Sequence, residues 1–276
     1  MTATAAPASS RLVELPGGLI LTITEQGDPG SGASTGILLL HGGAGARSMA
    51  GLSAGLSQHA LVVTPTHPGF DGTPRPDGFD SVADLAVAYL DLLDALNLTG
   101  AIVIGSSMGG WIAAEMALRD TRKVIAAVIL INSAGIKGDP GQEITDVSAI
   151  SPAELARLAF YKPEFRPDPS AFTAEQREAA AANQGTLAVY AGDHMYDPKL
   201  RGRLHRVQVP VLVIWGEGDG VIPLAYGRTF AGSFSSGRLV AVPDAGHLPF
   251  IENPAAVFAA ISEFVATEVR PDEDSA

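Results

Sequence analysis

Short runs of apolar residues recur along the chain and alternate with longer stretches of helical periodicity. One run alternates apolar and polar residues, which predicts a half-exposed edge strand. The others are continuously apolar, and most are bounded by Gly, Pro or Asn, as expected of strands buried on both faces of a sheet. The alternating run is residues 19–24, and the continuous runs are residues 37–40, 61–63, 101–104, 128–131, 211–215 and 239–242.

The stretches between these runs carry the spacing of amphipathic helices. Ser81 opens one of them in a sequence similar to a capping box, with Asp84 in place of the usual Glu, and apolar positions follow up to Leu96. Residues 111–118 and 254–265 have the same spacing. Strands that alternate with helices predict an α/β fold with a mostly parallel sheet, covered by helices on both faces.

One region, residues 136–208, breaks this alternation. It shows no convincing strand, but it has several prolines and two helical patches at residues 152–160 and 174–190. Unstructured loops longer than about 15 residues are rare in compact domains, so we favour an inserted helical lid over a long surface excursion. The sequence thus predicts a core of residues 1–135 and 209–276, with the lid inserted between its two parts.

The composition suits a large folded core. Of the 276 residues, 46% are hydrophobic and 17% are charged, which excludes a disordered or collagen-like chain. The formal net charge of -12 repels nucleic acid and anionic membranes, so neither is an expected partner. The chain has no cysteine, which excludes disulfides, thiolate catalysis and cysteine-based metal centres.

The two ends of the chain carry no targeting pattern. Residues 1–10 and 270–276 are small, polar and aperiodic, so both are predicted to be frayed tails, and the start lacks the basic and apolar regions of a secretory signal. The longest apolar runs fall far below the roughly 20 residues of a membrane helix. We therefore expect a soluble, cytoplasmic protein with a small-molecule partner, and the sequence leaves open whether it is a monomer or a homodimer.

The pattern Gly-x-Ser-x-Gly occurs three times, and its context separates the copies. Residues 32–36 precede a strand, and residues 51–55 are predicted to lie within a small-residue helix. Only residues 105–109 follow an apolar strand and open a helix, where a sharp turn exposes the serine and glycines keep its surroundings clear. Ser107 at the tip is the candidate nucleophile and its neighbour Ser106 is not. The alternative is a Gly-rich turn that only packs helix on strand.

A serine hydroxyl needs a base near neutral pH. His247 lies in the sequence Asp-Ala-Gly-His-Leu-Pro, between the last predicted strand and the last helix, where the carboxyl ends of parallel strands open. Asp219 follows the strand at residues 211–215 and is the candidate carboxylate that orients the imidazole, with Glu217 as the weaker choice. The simpler interpretations are a solvated loop histidine and a structural turn aspartate.

Two backbone N–H groups are candidate donors to an oxyanion. Met108 follows the nucleophile and supplies the first, and the sequence His-Gly-Gly-Ala-Gly after the strand at residues 37–40 supplies the second. Gly43 is the favoured donor there and Ala44 the second choice, while His41 holds the loop by hydrogen bonding. A phosphate-binding loop is the alternative, but no Walker lysine follows and Gly-x-Gly-x-x-Gly is absent there.

Candidate substrate contacts come from the loops and from the lid. Their aromatic and apolar side chains suit a small to medium, partly apolar acyl compound, although plain packing is the simpler interpretation of each residue. No His-x-His or His-Glu-x-x-His cluster is present, so no metal site is expected. The candidate contacts are Gly42, His67, Phe70, Phe160, Tyr161, His194, Met195, Tyr196 and Leu248.

Together these motifs resemble the α/β-hydrolase superfamily over about residues 19–135 and 205–268. The resemblance is carried by HGGAG, GSSMGG, WGEGDGVIP and DAGHLPFIENP, in family order. It implies an eight-stranded, mostly parallel sheet, a helical lid after the sixth strand, a Ser-His-Asp triad and no cofactor. The subfamily of cofactor-free carbon–carbon bond hydrolases is similar in HGG and SMGG. The chain departs from that subfamily at Ser106, where those enzymes usually have Asn, and at Leu248, where they often have Trp.

The expected activity is that of a carboxylesterase-like serine hydrolase, which cleaves an ester or related acyl bond through an acyl-enzyme. One alternative keeps the triad but hydrolyses a carbon–carbon bond in a ring-cleavage (meta-cleavage) product, or performs cofactor-free peracid or lyase chemistry. Another is a binding protein that keeps a slow triad as a ligand receptor. Epoxide hydrolase and dehalogenase chemistry is disfavoured, because those relatives use Asp where this chain has Ser107.

Overall fold

The computed structural model describes residues 7–28 and 36–269, and an eight-stranded sheet forms its centre. The strands are β1 (Ser9–Glu14), β2 (Ile20–Gln26), β3 (Ile37–Leu40), β4 (Val62–Pro65), β5 (Ala101–Ser106), β6 (Ile125–Ile131), β7 (Val211–Gly216) and β8 (Gly237–Val242). They lie in the order β1-β2-β4-β3-β5-β6-β7-β8. Strand β2 pairs antiparallel with β1 and β4, and the other neighbours pair in parallel. The expected mostly parallel α/β architecture is confirmed.

Helices cover the sheet on both faces. The helices are α1 (Ala50–Leu56), α2 (Val82–Ala95), α3 (Met108–Arg119), α4 (Pro152–Ala159), α5 (Ala174–Ala191), α6 (Leu224–Ala231), α7 (Pro249–Glu252) and α8 (Pro254–Glu268). The capping box predicted at Ser81 is confirmed, since its hydroxyl accepts a hydrogen bond from the Asp84 N–H at 3.2 Å and its own N–H donates to the Asp84 carboxylate at 3.0 Å. No described helix is long and apolar enough to cross a membrane.

Strand β3 shows why the central runs are apolar throughout. Ile37 and Leu39 belong to the apolar cluster formed with α1 and α8, whereas Leu38 and Leu40 belong to the cluster formed with α2 and α3. Successive side chains of a strand point to opposite faces, so a strand covered on both sides has no polar position. This packing fixes the sheet whose carboxyl edge carries the candidate site.

The sequence did not predict strand β1. Its residues are exposed apart from Val13, and it pairs with β2 at the edge of the sheet. Backbone hydrogen bonds and an ion pair between Arg11 and Glu25, 2.8 Å apart, hold it there, so it lacks the apolar pattern of a buried strand. The prediction of a frayed tail is wrong at Ser9 and Ser10, while residues 1–6 and 270–276 lie outside the described residues, as does most of the motif at 32–36.

The segment between β6 and β7 contains α4, α5 and short 3-10 helices. The helical patches predicted at residues 152–160 and 174–190 are confirmed. The expectation of no strand in this region is wrong at one point, because Gly135–Ile136 pairs in parallel with Tyr196–Asp197. This two-residue pairing ties together the beginning and the end of the inserted segment.

Candidate active site

Ser107 occupies the turn between β5 and α3. Its backbone is left-handed, with φ 54° and ψ -120°, a strained conformation for a residue with a side chain. Backbone hydrogen bonds fix the turn, since the Ser107 N–H donates to Ile131 O at 3.0 Å and its carbonyl accepts from the Ala134 N–H at 3.2 Å. A methyl group on Gly105 would collide with the backbone of Gly109, and one on Gly109 would collide with the backbone of Leu40 and His41. This is the geometry expected of a nucleophile elbow.

His247 and Asp219 form a buried hydrogen-bonded pair at the same edge of the sheet. The Nδ1 atom of His247 lies 2.8 Å from Asp219 Oδ2. The other carboxylate oxygen, Oδ1, accepts from the N–H groups of Val221 at 2.8 Å and Ile222 at 3.0 Å. A carboxylate accepts and does not donate, so this contact places a proton on Nδ1 and directs Nε2 away from the carboxylate. His247 is therefore the candidate general base at this edge of the sheet.

Asn132 connects this pair to the serine turn, and the sequence analysis missed it. It directly follows β6, is fully buried, and has a left-handed φ of 43°. Its Nδ2 donates to Asp219 Oδ2 at 2.6 Å and to Gly246 O at 3.4 Å, while its Oδ1 accepts from the Gly216 N–H at 3.2 Å. The residue before it, Ile131, accepts the Ser107 N–H bond. A continuous chain of hydrogen bonds and one peptide link therefore joins Ser107 to His247.

We define the oxyanion loop as residues 41–46, which follow β3. The loop lies against the serine, since a methyl group on Gly42 would be 2.8 Å from Ser107 Cβ and 3.4 Å from its Oγ. Gly43 is the next residue, and Met108 is the first residue of α3, where N–H groups have no partner within the helix. The structure thus brings both candidate N–H donors to the elbow.

Two stacked histidines support the oxyanion loop from behind. His41 and His67 are fully buried, with ring centroids 3.7 Å apart. The His67 N–H donates to His41 Nε2 at 3.0 Å, so the His41 proton resides on Nδ1 and is donated to Gly42 O at 2.7 Å. His67 Nε2 in turn donates to His41 O at 2.9 Å, which leaves its Nδ1 to accept from the Tyr89 hydroxyl.

Burial keeps both of these rings neutral. It lowers the pKa of His41 to about 4 and the pKa of His67 well below its usual value, with the neighbouring His41 adding to the second effect. His67 and Phe70 were candidate substrate contacts. The structure places both beneath the loop, fully buried, with the His67 nitrogens bonded inside the protein. In this structure both side chains therefore support the loop from behind, and their role as substrate contacts stays a prediction.

The remaining candidate contacts separate into two groups. Phe160 is buried, half-exposed Tyr161 packs against Gly218, and Leu248 packs between the two apolar clusters near His247. The second group lines a cavity of about 630 Å³ between residues 136–148 and the end of α5. That group consists of His194, Met195 and Tyr196.

Leu187 on α5 contacts both this cavity and the oxyanion loop. It lines the cavity, and a methyl group on Gly43 would lie 2.8 Å from its Cδ2. Ser107 and His247 are not among the lining residues. Leu187 therefore lies where the 630 Å³ cavity meets the oxyanion loop.

The inserted segment covers the pair of Ser107 and His247, which are only 7% and 9% exposed. The end of α4 is hydrogen-bonded to the loops that carry the base and its carboxylate. Ala159 O accepts from the His247 N–H at 2.7 Å, and Leu158 O accepts from the Gly220 N–H at 3.0 Å. Helix α5 covers the other side through its contact with the oxyanion loop. In this structure the site is closed.

An elbow serine, an Asp–His pair and a Gly-rich loop at the carboxyl edge of this sheet define an α/β hydrolase. The sequence comparison agrees, because the model of the alpha/beta hydrolase family matches residues 37–261. The chain belongs to the alpha/beta hydrolase family.

Relatives with named activities lie within this family. The pimeloyl-[acyl-carrier protein] methyl ester esterase of Aromatoleum aromaticum is 30% identical, over 79% of this chain and 93% of the relative. The 2-hydroxy-6-oxo-6-(2'-aminophenyl)hexa-2,4-dienoic acid hydrolase of Metapseudomonas resinovorans is 25% identical, over 81% of each chain. Among solved structures, a thermophilic esterase from Thermogutta terrifontis shares the fold, with a TM-score of 0.74 and 22% identity over 95% of this chain and 100% of that one.

Proposed function

We propose that this protein is a serine hydrolase that cleaves an ester, with Ser107 as nucleophile, His247 as base and Asp219 as the group that orients the base. The observation that carries the proposal is the buried contact of 2.8 Å between His247 Nδ1 and Asp219 Oδ2. It directs Nε2 away from the carboxylate, where it can take a proton, and hydrogen bonds through Asn132 connect this histidine to the serine turn.

The reaction proceeds in two acyl-transfer steps. Ser107 Oγ attacks the ester carbonyl carbon while His247 Nε2 takes the hydroxyl proton, and the N–H groups of Gly43 and Met108 hold the oxyanion. The bond to the leaving alcohol breaks as His247 returns that proton to the alcohol oxygen. Water then attacks the acyl-enzyme, giving its proton to His247, and the acid leaves as the proton returns to Ser107 Oγ.

The substrate we propose is small to medium and partly apolar. Support comes from the apolar part of the 630 Å³ cavity, which includes Ile136, Val147 and Leu187, and from the methyl ester esterase among the relatives. The inserted segment 136–208 acts as a lid over this site: the end of α4 is bonded to the loops of His247 and Asp219, and α5 contacts Gly43 in the oxyanion loop.

Ser107→Ala tests the nucleophile, and Ser106→Ala is the matched control. The Ser106 hydroxyl is buried one residue away and has no hydrogen-bond partner among the described residues, so its loss should leave the rate unchanged. With a nitrophenyl ester we expect kcat/KM to fall at least about 1,000-fold in Ser107→Ala only. A fluorophosphonate should label the wild type and Ser106→Ala at Ser107. Substantial turnover by Ser107→Ala would contradict the proposal.

A second candidate, hydrolysis of a carbon–carbon bond in a dienoic acid, is supported by the relative from Metapseudomonas resinovorans. The same triad would serve both reactions, so the two proposals are distinguished by comparing the turnover of their two substrates. We expect simple esters to be turned over faster than a 2-hydroxy-6-oxo-hexadienoate. Steady-state kinetics on both compounds decide the point, and a higher kcat/KM for the dienoate would replace the ester proposal with this one.

A further inference from the structure

We propose that Asn183 and Asp71 are positioning residues that set the oxyanion loop, so that docking of α5 completes the oxyanion hole. The inference rests on the proposed function, because it concerns how the loop presents its donor. It adds a task for the inserted segment beyond covering the site.

Helix α5 packs against the loops around the oxyanion loop along one stripe of its surface. Most of its residues are exposed, and the inward-facing ones are spaced three or four apart, which places them on one side of the helix. Two of these residues bond the loop after β4, since the Thr186 hydroxyl donates to Gly69 O at 3.0 Å and the Tyr190 hydroxyl donates to Pro68 O at 2.9 Å. The stripe consists of Asn183, Thr186, Leu187 and Tyr190.

Asn183 and Asp71 form a closed pair of hydrogen bonds within this contact. Asn183 is buried, its Nδ2 donates to Asp71 Oδ1 at 2.9 Å, and its Oδ1 accepts from the Asp71 N–H at 2.8 Å. The second carboxylate oxygen, Oδ2, accepts from the Ala46 N–H at 3.0 Å. Asp71 has a left-handed φ of 50°, a costly conformation that the surrounding bonds must hold. The carboxylate thus bridges α5 to the end of the oxyanion loop.

The loop is held at two points by one turn of α5. At Gly45 there is no room for a side chain, because the Asp71 carboxylate and the Asn183 amide lie against it. At Gly43, the proposed donor, Leu187 makes the corresponding contact. Asn183 and Leu187 are four residues apart and therefore move together with the helix. When α5 is docked, the two ends of the Gly-rich turn cannot shift independently.

A charge swap tests this inference sharply. In Asn183→Asp, two carboxylates face each other, and in Asp71→Asn the native carboxylate is lost. In the double variant, the amide introduced at position 71 can donate through its nitrogen to the new carboxylate at position 183. Its oxygen can accept from the Ala46 N–H, so every hydrogen bond of the pair is retained. Ala181→Glu introduces one negative charge on the exposed side of α5, as Asn183→Asp does on its buried side, and is the matched control.

We expect kcat for a small nitrophenyl ester to fall about tenfold or more in each single variant, with KM changed less than about threefold, because a misplaced donor weakens oxyanion binding. The double variant should recover kcat to within about threefold of the wild type, and Ala181→Glu should match the wild type. Single variants that melt at a lower temperature but keep kcat would overturn the inference, since the pair would then only stabilise the fold. A double variant that is folded yet remains slow would overturn it as well.

Labelling of Ser107 by a fluorophosphonate separates this test from that of the proposed function. No labelling in the wild type contradicts the proposed function, and with it the inference. Normal labelling in the wild type together with unchanged kcat in both single variants contradicts the positioning role alone.

Discussion

At the scale of single residues, the site depends on side chains that never touch a substrate. Asn132 orients the Asp219 carboxylate, and Asp219 in turn fixes which imidazole nitrogen of His247 carries the proton. The position of a group that faces the substrate therefore depends on the buried polar groups to which it is hydrogen-bonded. Each of these groups is expensive to leave unpaired, because it lies away from water.

Asn132→Ala should slow the enzyme more than it weakens substrate binding. Asp219 loses its 2.6 Å partner and the Gly216 N–H is left unpaired, so we expect kcat to fall about 10- to 100-fold and the free energy of unfolding to drop by roughly 1–3 kcal/mol. Steady-state kinetics and urea unfolding measure the two effects. Asn97→Ala is the control, because Asn97 is exposed and has a similar φ of 54°. Equal kinetic effects in both variants would contradict the role of Asn132.

Because His41 and His67 are buried and neutral, the protein should become less stable in mild acid. The pKa of His41 is about 4 in the folded protein and about 6.5 when unfolded, so the unfolded chain binds protons first as the pH decreases. The contribution is present above pH 6.5 and is lost as the pH falls towards 4, on the order of 3 kcal/mol. Urea unfolding at several pH values measures it. His41→Gln should flatten this dependence, while His59→Gln, at an exposed position, should leave it unchanged.

At the scale of elements, buried hydrogen bonds join the inserted segment to the loop that carries His247. Glu252 on α7 is buried, its Oε2 accepts from the Gly246 N–H at 2.6 Å, and its Oε1 accepts from the Lys162 N–H at 2.7 Å. Lys162 Nζ donates to Glu252 O at 3.0 Å. One carboxylate thus holds both the loop before His247 and the chain that follows α4.

Glu252→Ala should disturb both the loop that carries His247 and the segment that follows α4. Two buried N–H groups lose their acceptor, so we expect the free energy of unfolding to fall by about 2–4 kcal/mol and kcat to fall at least about tenfold. Glu252→Gln retains one acceptor oxygen and should lie between Glu252→Ala and the wild type. Glu263→Gln, which removes an exposed ion pair with Arg238, is the control for loss of charge. Thermal unfolding and ester kinetics provide the readout, and a Glu252→Ala variant with wild-type kcat would argue against the link.

How far the sequence predicts this architecture depends on burial. The central strands and α2 are predicted well. Continuous apolar runs indicate strands buried on both faces, and the capping residue Ser81 marks the start of α2. Strand β1 is not, since an exposed edge strand needs no apolar pattern and gains its stability from pairing with β2. The sequence predicts that α5 is a helix but not which loops it meets. Asn132 could have been found from its place directly after β6 at the carboxyl edge.

At the scale of the whole molecule, one side chain contacts both the candidate substrate cavity and the oxyanion loop. Leu187 lines the 630 Å³ cavity and packs against Gly43. On the proposed function, its volume should therefore govern whether an acyl chain on Ser107 can extend into the cavity.

Leu187→Ala should shift the preference of the enzyme towards longer acyl chains. Joining the cavity to the elbow gives such chains an apolar surface, and each buried CH₂ group contributes about 0.8 kcal/mol. We expect the ratio of kcat/KM for octanoate over acetate nitrophenyl esters to rise at least about tenfold, at a cost of roughly 2–5 kcal/mol in stability. Leu200→Ala, buried but neither lining the cavity nor packed against Gly43, controls for the loss of stability. An unchanged ratio would show that the chain binds elsewhere.

The closed cover over Ser107 and His247 has a kinetic consequence. On the proposal that segment 136–208 acts as a lid, a compound reaches these buried atoms once α4 and α5 have moved apart. The rate constant of covalent inactivation at saturating reagent should therefore rise with the intrinsic reactivity of the reagent and then level off. The plateau value is the rate constant with which the molecule opens.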